Sequence, residues 1–155
     1  MNQYQAQTQW TSGRIAILLT RWNSFITDNL LQGAQQALHR NGVPEDQIDV
    51  VYVPGAFELP ITARKLLDSG KYASLVALGC VIRGGTPHFD FVCSGCMDGL
   101  MQVQLDARVP VTFGVLTVDS VEQAIERSGD DSNNKGAEAA VTALEMMNLM
   151  QELPL

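Results

Sequence analysis

Apolar residues along this chain come in short unbroken runs separated by segments of helical period. Arg14–Thr20 (RIAILLT) is continuously apolar, the pattern of a strand buried on both faces. After Arg21-Trp22-Asn23, a helix is predicted from Ser24 to Arg40, with Ile26, Leu30, Ala34, Ala37 and Leu38 on one face and Asn41-Gly42 as its stop. Ile48–Val53 is a second strand, and the turn Pro54-Gly55-Ala56 leads into a helix from Phe57 to Ser69, with Pro60 in its first turn. Tyr72–Val81 is a third strand, followed by a glycine-containing loop and a helix from Pro87 to Ala107. Val109–Val118 is the fourth strand. Asp119 or Ser120 caps a short helix ending at Ser128, Gly129–Asn134 is a polar loop, and Lys135–Glu152 is a last helix rich in Ala, Leu and Met.

Strands that alternate with helices and all read as buried predict a three-layer α/β/α fold of the flavodoxin-like kind, a four-stranded parallel sheet flanked by helices. There is no internal repeat and no linker, so residues 14–155 form one domain behind an N-terminal arm, 1–13, which is polar, aperiodic and by itself a loose tail. The arm has no basic segment leading into an apolar one, so it does not read as a secretory signal, and no apolar run approaches the roughly 20 residues that span a bilayer. A cytoplasmic location and no membrane partner are the expectations.

Charge changes the picture in one respect. The 17 acidic against 10 basic residues, net −7, argue against nucleic acid as a partner but leave room for an anionic small molecule held by a local arginine. Only 17% of residues are charged, which points to surface covered by other subunits. Three cysteines do not make a disulfide framework.

In open parallel sheets ligands bind beyond the carboxyl ends of the strands, and three unusual segments fall there: Arg21-Trp22-Asn23, Pro54–Glu58 and Val81–His88. In the third, Thr86 reads as an N-cap and Pro87 as the first helical residue, so the amides of Gly84, Gly85 and Thr86, the positive helix end and Arg83 form a candidate phosphate or carboxylate site. The plainer reading is a strand-to-helix turn shaped by glycine. His88, in the first turn, suits proton transfer near neutral pH, or it has no role beyond its helix. Trp22 suits stacking on a planar ring or packing against helix ends. Glu58 and Asn23 offer hydrogen-bonding groups, although a glutamate there also complements the helix dipole. Cys93 and Cys96 form a CxxC, but about two turns into a helix, which favours small core-facing residues over a redox or zinc pair. With one other histidine, His39, no metal ligand set assembles, and neither GxxxxGK[ST] nor GxGxxG occurs. Phe113 and Arg127 do not fit the crevice: they are structural, or they serve a site shared with another subunit.

VPGAFELP (Val53–Pro60), LGCVIRGGTPHFD (Leu78–Asp90), PVTFGVLT (Pro110–Thr117), QAIER (Gln123–Arg127) and NKGAEAA (Asn134–Ala140) together resemble the lumazine synthase family over about residues 14–150. The resemblance implies a transferase that condenses 5-amino-6-(D-ribitylamino)uracil with 3,4-dihydroxy-2-butanone 4-phosphate to 6,7-dimethyl-8-ribityllumazine, the penultimate step of riboflavin biosynthesis, with no cofactor and no metal. It implies that Trp22 stacks on the pyrimidine, that Ala56, Phe57, Glu58, Cys80, Val81 and Ile82 hold the uracil and ribityl chain, and that Phe113 lines the ring pocket. Gly85, Thr86, Arg127 and Lys135 would hold the phosphate and His88 would transfer protons. Phe113, Arg127 and Lys135 would come from a neighbouring subunit of a homopentamer. The short Gly129–Asn134 loop favours an icosahedral 60-mer over isolated pentamers, with riboflavin synthase as a candidate cargo and residues 1–13 packed on a neighbour. The family mostly carries Phe at position 22, so Trp22 bears on binding of product or riboflavin. The alternative is a flavin-binding or shell-forming homologue without catalysis.

Overall fold

The structure, a computed structural model, describes residues 1–130 and 133–154. Four strands, β1 (Arg14–Thr20), β2 (Ile48–Val53), β3 (Tyr72–Ile82) and β4 (Val111–Val118), form one parallel sheet in the order β2-β1-β3-β4. Three helices connect them, α1 (Ser24–Arg40), α2 (Leu59–Asp68) and α3 (His88–Ala107), and two more, α4 (Val121–Glu126) and α5 (Lys135–Glu152), follow β4. Successive side chains of a strand point to opposite faces, and the two cores follow from that alternation. Ile15, Ile17, Leu19, Val76 and Leu78 pack with Leu30, Ala34, Ala140 and Leu144 of α1 and α5. Ala16, Leu18, Leu75 and Ala77 pack with Leu59, Ala63, Cys96 and Leu100 of α2 and α3. This is the three-layer α/β/α, flavodoxin-like arrangement.

The expectation that every strand is buried fails at the sheet edge. β2 pairs on one side only, and Tyr52 is 59% exposed. Apolar composition cannot distinguish an edge strand from a central one, because strand order is set by crossovers. The second helix also starts later than its sequence suggests: Ala56–Glu58 form a 3₁₀ turn, and the α-helix runs from Leu59. β4 begins at Val111, since Pro110 has no N–H and takes part only through its carbonyl, which accepts from Leu75 N–H at 3.0 Å. A 3₁₀ turn at Glu45–Gln47 precedes β2.

The arm is not loose throughout. Trp10 N–H donates to Asn41 O (2.9 Å), and Asn148 Nδ2 donates to the carbonyls of Gln7 (2.7 Å) and Gln9 (2.9 Å). Trp10 also packs against the α1/α5 core, so residues 7–13 are tied to their own chain.

The last helix is set by close approach. A Cβ on Gly136 would fall under 3.0 Å from the Leu30 backbone, so α1 and α5 meet main chain to main chain. Asn134 is buried beside them. Its Oδ1 caps α5 by accepting from Ala137 N–H (3.0 Å), and its Nδ2 donates to Asn29 O (3.0 Å) and Gly129 O (2.8 Å). Of the polar loop expected at Gly129–Asn134, residues 131 and 132 lie outside the described residues; Ser128 and Asn134 bridge its base.

Candidate functional site: a crevice and a separate groove

The carboxyl ends of β1 and β2 stand level, with Thr20 beside Val53, while β3 runs on from Leu78, beside Leu19, to Ile82. Beyond them Arg21 and Trp22 donate their N–H groups to Pro54 O, both at 3.1 Å. Asn23 turns the chain into α1 with left-handed torsions (φ 61°, ψ 43°), a conformation asparagine tolerates better than most residues. Its Nδ2 donates to Cys80 O at 2.9 Å, so half of the amide proposed for ligand binding is used to tie β1 to β3. Trp22 is 62% exposed and lies over Gly55, where a Cβ would come within 3.0 Å of the indole. Gly55 is extended (φ −143°), so glycine is required there by the ring and not by the torsion.

The turn that follows keeps Ala56 buried, Glu58 half-buried and Phe57 exposed. The Phe57 ring rests on Gly95 of α3, again at a distance that leaves no space for a Cβ. Cys80 is buried at the end of β3, while Val81 and Ile82 are half-buried at the crevice floor. Burial pushes the Cys80 thiol up to about 11.

The loop after β3, residues 84–87, and His88 are exposed. Nothing lies within 4 Å of a Cβ built on Gly84 or Gly85. Among the described residues, the N–H groups of Gly84, Gly85 and Thr86 donate to no protein acceptor. Amides in that condition, next to a helix start, suit an anion. The expected capping by Thr86 takes a weak form: α3 is hydrogen-bonded from His88, Pro87 already has helical torsions, and Thr86 Oγ1 accepts from His88 N–H at 3.4 Å.

Arg83 does not join the anion loop. Its Nε donates to Asp119 Oδ1 (2.8 Å) and its Nη1 to Asp90 Oδ1 (3.3 Å), and the guanidinium lies 4.3 Å from the centroid of the Phe89 ring. A cation already shared by two carboxylates has little left for a third anion.

The remaining predicted residues are elsewhere. Phe113 pairs with Ala77, five residues before the Ile82–Val118 pair at the crevice, about 16 Å along the strand at 3.3 Å per residue. It is 46% exposed and lines a groove of about 840 Å³ along β4, together with Arg127 and Lys135. Arg127 Nη1 donates to Gln123 O (2.9 Å) and lies 3.5 Å from Glu126 Oε2; Lys135 Nζ is 3.0 Å from Glu138 Oε2. The structure thus gathers Trp22, Ala56, Phe57, Glu58, Cys80, Val81, Ile82, Gly85, Thr86 and His88 around one crevice. It brings Phe113, Arg127 and Lys135 together in a second place.

Cys96 is buried in the α2/α3 core and pushed up to about 12, chiefly by burial, while Cys93 is half-buried and also raised; all three cysteines are free. Among the described residues no three His, Cys, Asp or Glu side chains gather to hold a metal ion, and no helix is long and apolar enough to cross a membrane. Sequence reasoning missed Gly55, Asp119, Asn134 and Gly136. The first and last carry no signal except an unexplained glycine, and the other two depend on partners distant in sequence.

Fold and crevice together define a flavodoxin-like α/β protein with exposed aromatic rings and a loop of unpartnered amides at the strand ends. Residues 12–151 match the family model described as 6,7-dimethyl-8-ribityllumazine synthase, and the chain belongs to that family. Membership makes it a transferase-type enzyme with a role in riboflavin biosynthesis.

Proposed function

We propose that the protein condenses 5-amino-6-(D-ribitylamino)uracil with 3,4-dihydroxy-2-butanone 4-phosphate to give 6,7-dimethyl-8-ribityllumazine, inorganic phosphate and water. The 5-amino group attacks the ketone and loses water to form an imine. Proton removal from the adjacent carbon then expels phosphate from the terminal carbon, and the resulting enol tautomerises to a ketone. The ribitylamino nitrogen closes the ring on that carbonyl with loss of a second water. Every step is a proton transfer, an addition or an elimination, so the sum needs no oxidant and no redox cofactor.

The observation that carries this reading is the crevice: the exposed Trp22 and Phe57 rings stand at the same end of the sheet as a loop of unpartnered amides that leads to His88. Trp22 stacks on the pyrimidine, Ala56–Glu58 and Cys80–Ile82 hold the ribityl and uracil groups, Gly85 and Thr86 accept the phosphate, and His88 moves the protons. Phe113, Arg127 and Lys135 complete the crevice of an adjacent subunit, which accounts for their grouping away from their own. The protein self-associates in this proposal as a homopentamer; association itself is supported by Phe91, Met97, Met101 and Leu105, which leave an apolar face of α3 uncovered.

Mixing both substrates with the protein should yield the fluorescent lumazine; its absence, with riboflavin bound and quenched, would favour the non-catalytic reading that Trp22 suggests. The shared site has its own test. His88→Ala and Arg127→Ala proteins, each impaired alone, should regain activity when unfolded and reassembled together. No recovery in the mixed assembly would place both residues in one chain's site.

A further inference from the structure

Five residues, Arg83–Pro87, connect the end of β3 to α3, and very little holds their middle. The two glycines have open space where a side chain would be, and glycine is the residue with most backbone freedom to lose. The ends, by contrast, are fastened, and one side chain does most of it. Arg83 N–H donates to Val118 O (2.8 Å), which seats the loop's first residue on β4. Its guanidinium then reaches the other end of the loop, lying over Phe89 (4.3 Å) and donating to Asp90 (3.3 Å) in the first turn of α3. Its Nε donates to Asp119 (2.8 Å), just past the end of β4. Asp119 is itself held, since its N–H donates to Gln123 Oε1 at 2.7 Å.

We propose that Arg83 is a positioning residue, a clip that holds both ends of the Gly84–Pro87 loop against Asp119 so that the loop amides and His88 present one fixed geometry to the phosphate-bearing substrate. The substrate assignment rests on the function proposed above; the clip does not. A planar guanidinium can donate in two directions to two carboxylates while its face covers a ring, which a lysine ammonium cannot do. Single exposed ion pairs contribute little, but a network with three partners on two segments, Phe89 and Asp90 on α3 and Asp119 after β4, restricts a loop in a way one pair does not. Arg83 acts through the loop and does not itself touch phosphate, because Asp90 and Asp119 already surround it with two negative charges.

Three variants test this: Arg83→Met, Arg83→Lys and Asp119→Asn. For the clip, Arg83→Met and Asp119→Asn each raise KM for the butanone phosphate about 10-fold, the scale expected when positioning is loosened. KM for the pyrimidine stays within about 2-fold, Arg83→Lys does not rescue, and the double variant is no worse than either single one. Direct phosphate binding by Arg83 predicts the opposite for Asp119→Asn, an unchanged or lower KM, and that result would overturn the proposal. So would equal rises in both KM values, the mark of general damage.

Hydrogen exchange on the assembled protein gives a readout independent of turnover. The hydrogen-bonded amides at the fastened ends of the loop, Arg83, Asp90 and Asp119, should exchange at least about 10-fold faster in Arg83→Met, with core amides of β3 unchanged. If no lumazine forms but this local change is seen, the function fails and the clip stands. If exchange of these amides is unaltered, the clip fails whatever the enzyme does.

Discussion

The indole of Trp22 and the backbone of Gly55 occupy one space: the six-membered edge of the ring crosses the turn after β2 where any side chain on residue 55 would stand. The orientation of the aromatic shelf is therefore set by a missing side chain on a neighbouring loop. Gly55→Ala should tilt the ring out of the crevice. We expect KM for the pyrimidine to rise about 10-fold, with the butanone phosphate little affected and the thermal midpoint nearly unchanged, since Trp22 is on the surface. Steady-state kinetics with each substrate varied in turn measures it; an unchanged pyrimidine KM would mean that the ring does not stack.

His88 should carry most of the proton traffic. His88→Ala should lower kcat by about 10²- to 10⁴-fold, the usual range for losing a general acid–base group, with the KM values far less altered. Single-turnover formation of the fluorescent product is the measurement. Undiminished turnover would remove the histidine from the chemistry and leave its position at the start of α3 as helix geometry alone.

The contact between α1 and α5 should be intolerant of one methyl group. Gly136→Ala sets a Cβ against the Leu30 main chain, which cannot rotate away. Overpacking of this kind costs about 1–3 kcal/mol. An unfolding free energy lower by that amount is expected, with a correspondingly lower denaturation midpoint and loss of phosphate-substrate affinity as Lys135, the preceding residue, moves with the helix. A midpoint equal to that of the parent protein would show the contact to be slack.

Alkali should destabilise the fold in a defined window. Burial pushes the Cys80 and Cys96 thiols up to about 11 and about 12 from an ordinary value of 9.0. Tyr72 is raised too, first by burial and then by its hydrogen bond to Asp49. These groups release their protons more readily when unfolded. Stability is therefore fully present below about pH 9 and falls as pH rises through the folded-state values. Urea midpoints across that range should decline, and the decline should be shallower in Cys96→Ala. Equal slopes for the two proteins would contradict the assignment.

Much of the fold was legible because it rests on local pattern. The continuous apolar runs marked all four strands, the boundaries of α1 and α5 were read to the residue, and Ser120 caps α4 by accepting from Gln123 N–H at 3.2 Å, as its type and place suggested. Two misreadings share one cause, a partner distant in sequence. Arg83 beside two glycines looks like an anion ligand until Asp119, 36 residues later, is found within 2.8 Å of it. The polar stretch 7–10 looks untethered until Asn148 meets it from the far end of the chain.

Residue types and their spacing alone determined that this chain makes a layered parallel sheet, and that an aromatic, a glycine-containing loop and a histidine stand at the strand ends. Hydrophobic period, capping chemistry and the carboxyl-end rule are properties of short segments, so they are written in short segments. Only the tertiary structure decided that β1 and β3 are central and β2 is an edge, that Gly55 seats Trp22, and that Arg83 is spent on carboxylates. It alone put Phe113 five residues, about 16 Å along the strand, back from the Ile82–Val118 pair, in a groove with Arg127 and Lys135. Those outcomes depend on which strand pairs with which and in what register, and a register is a relation between segments that no segment contains by itself.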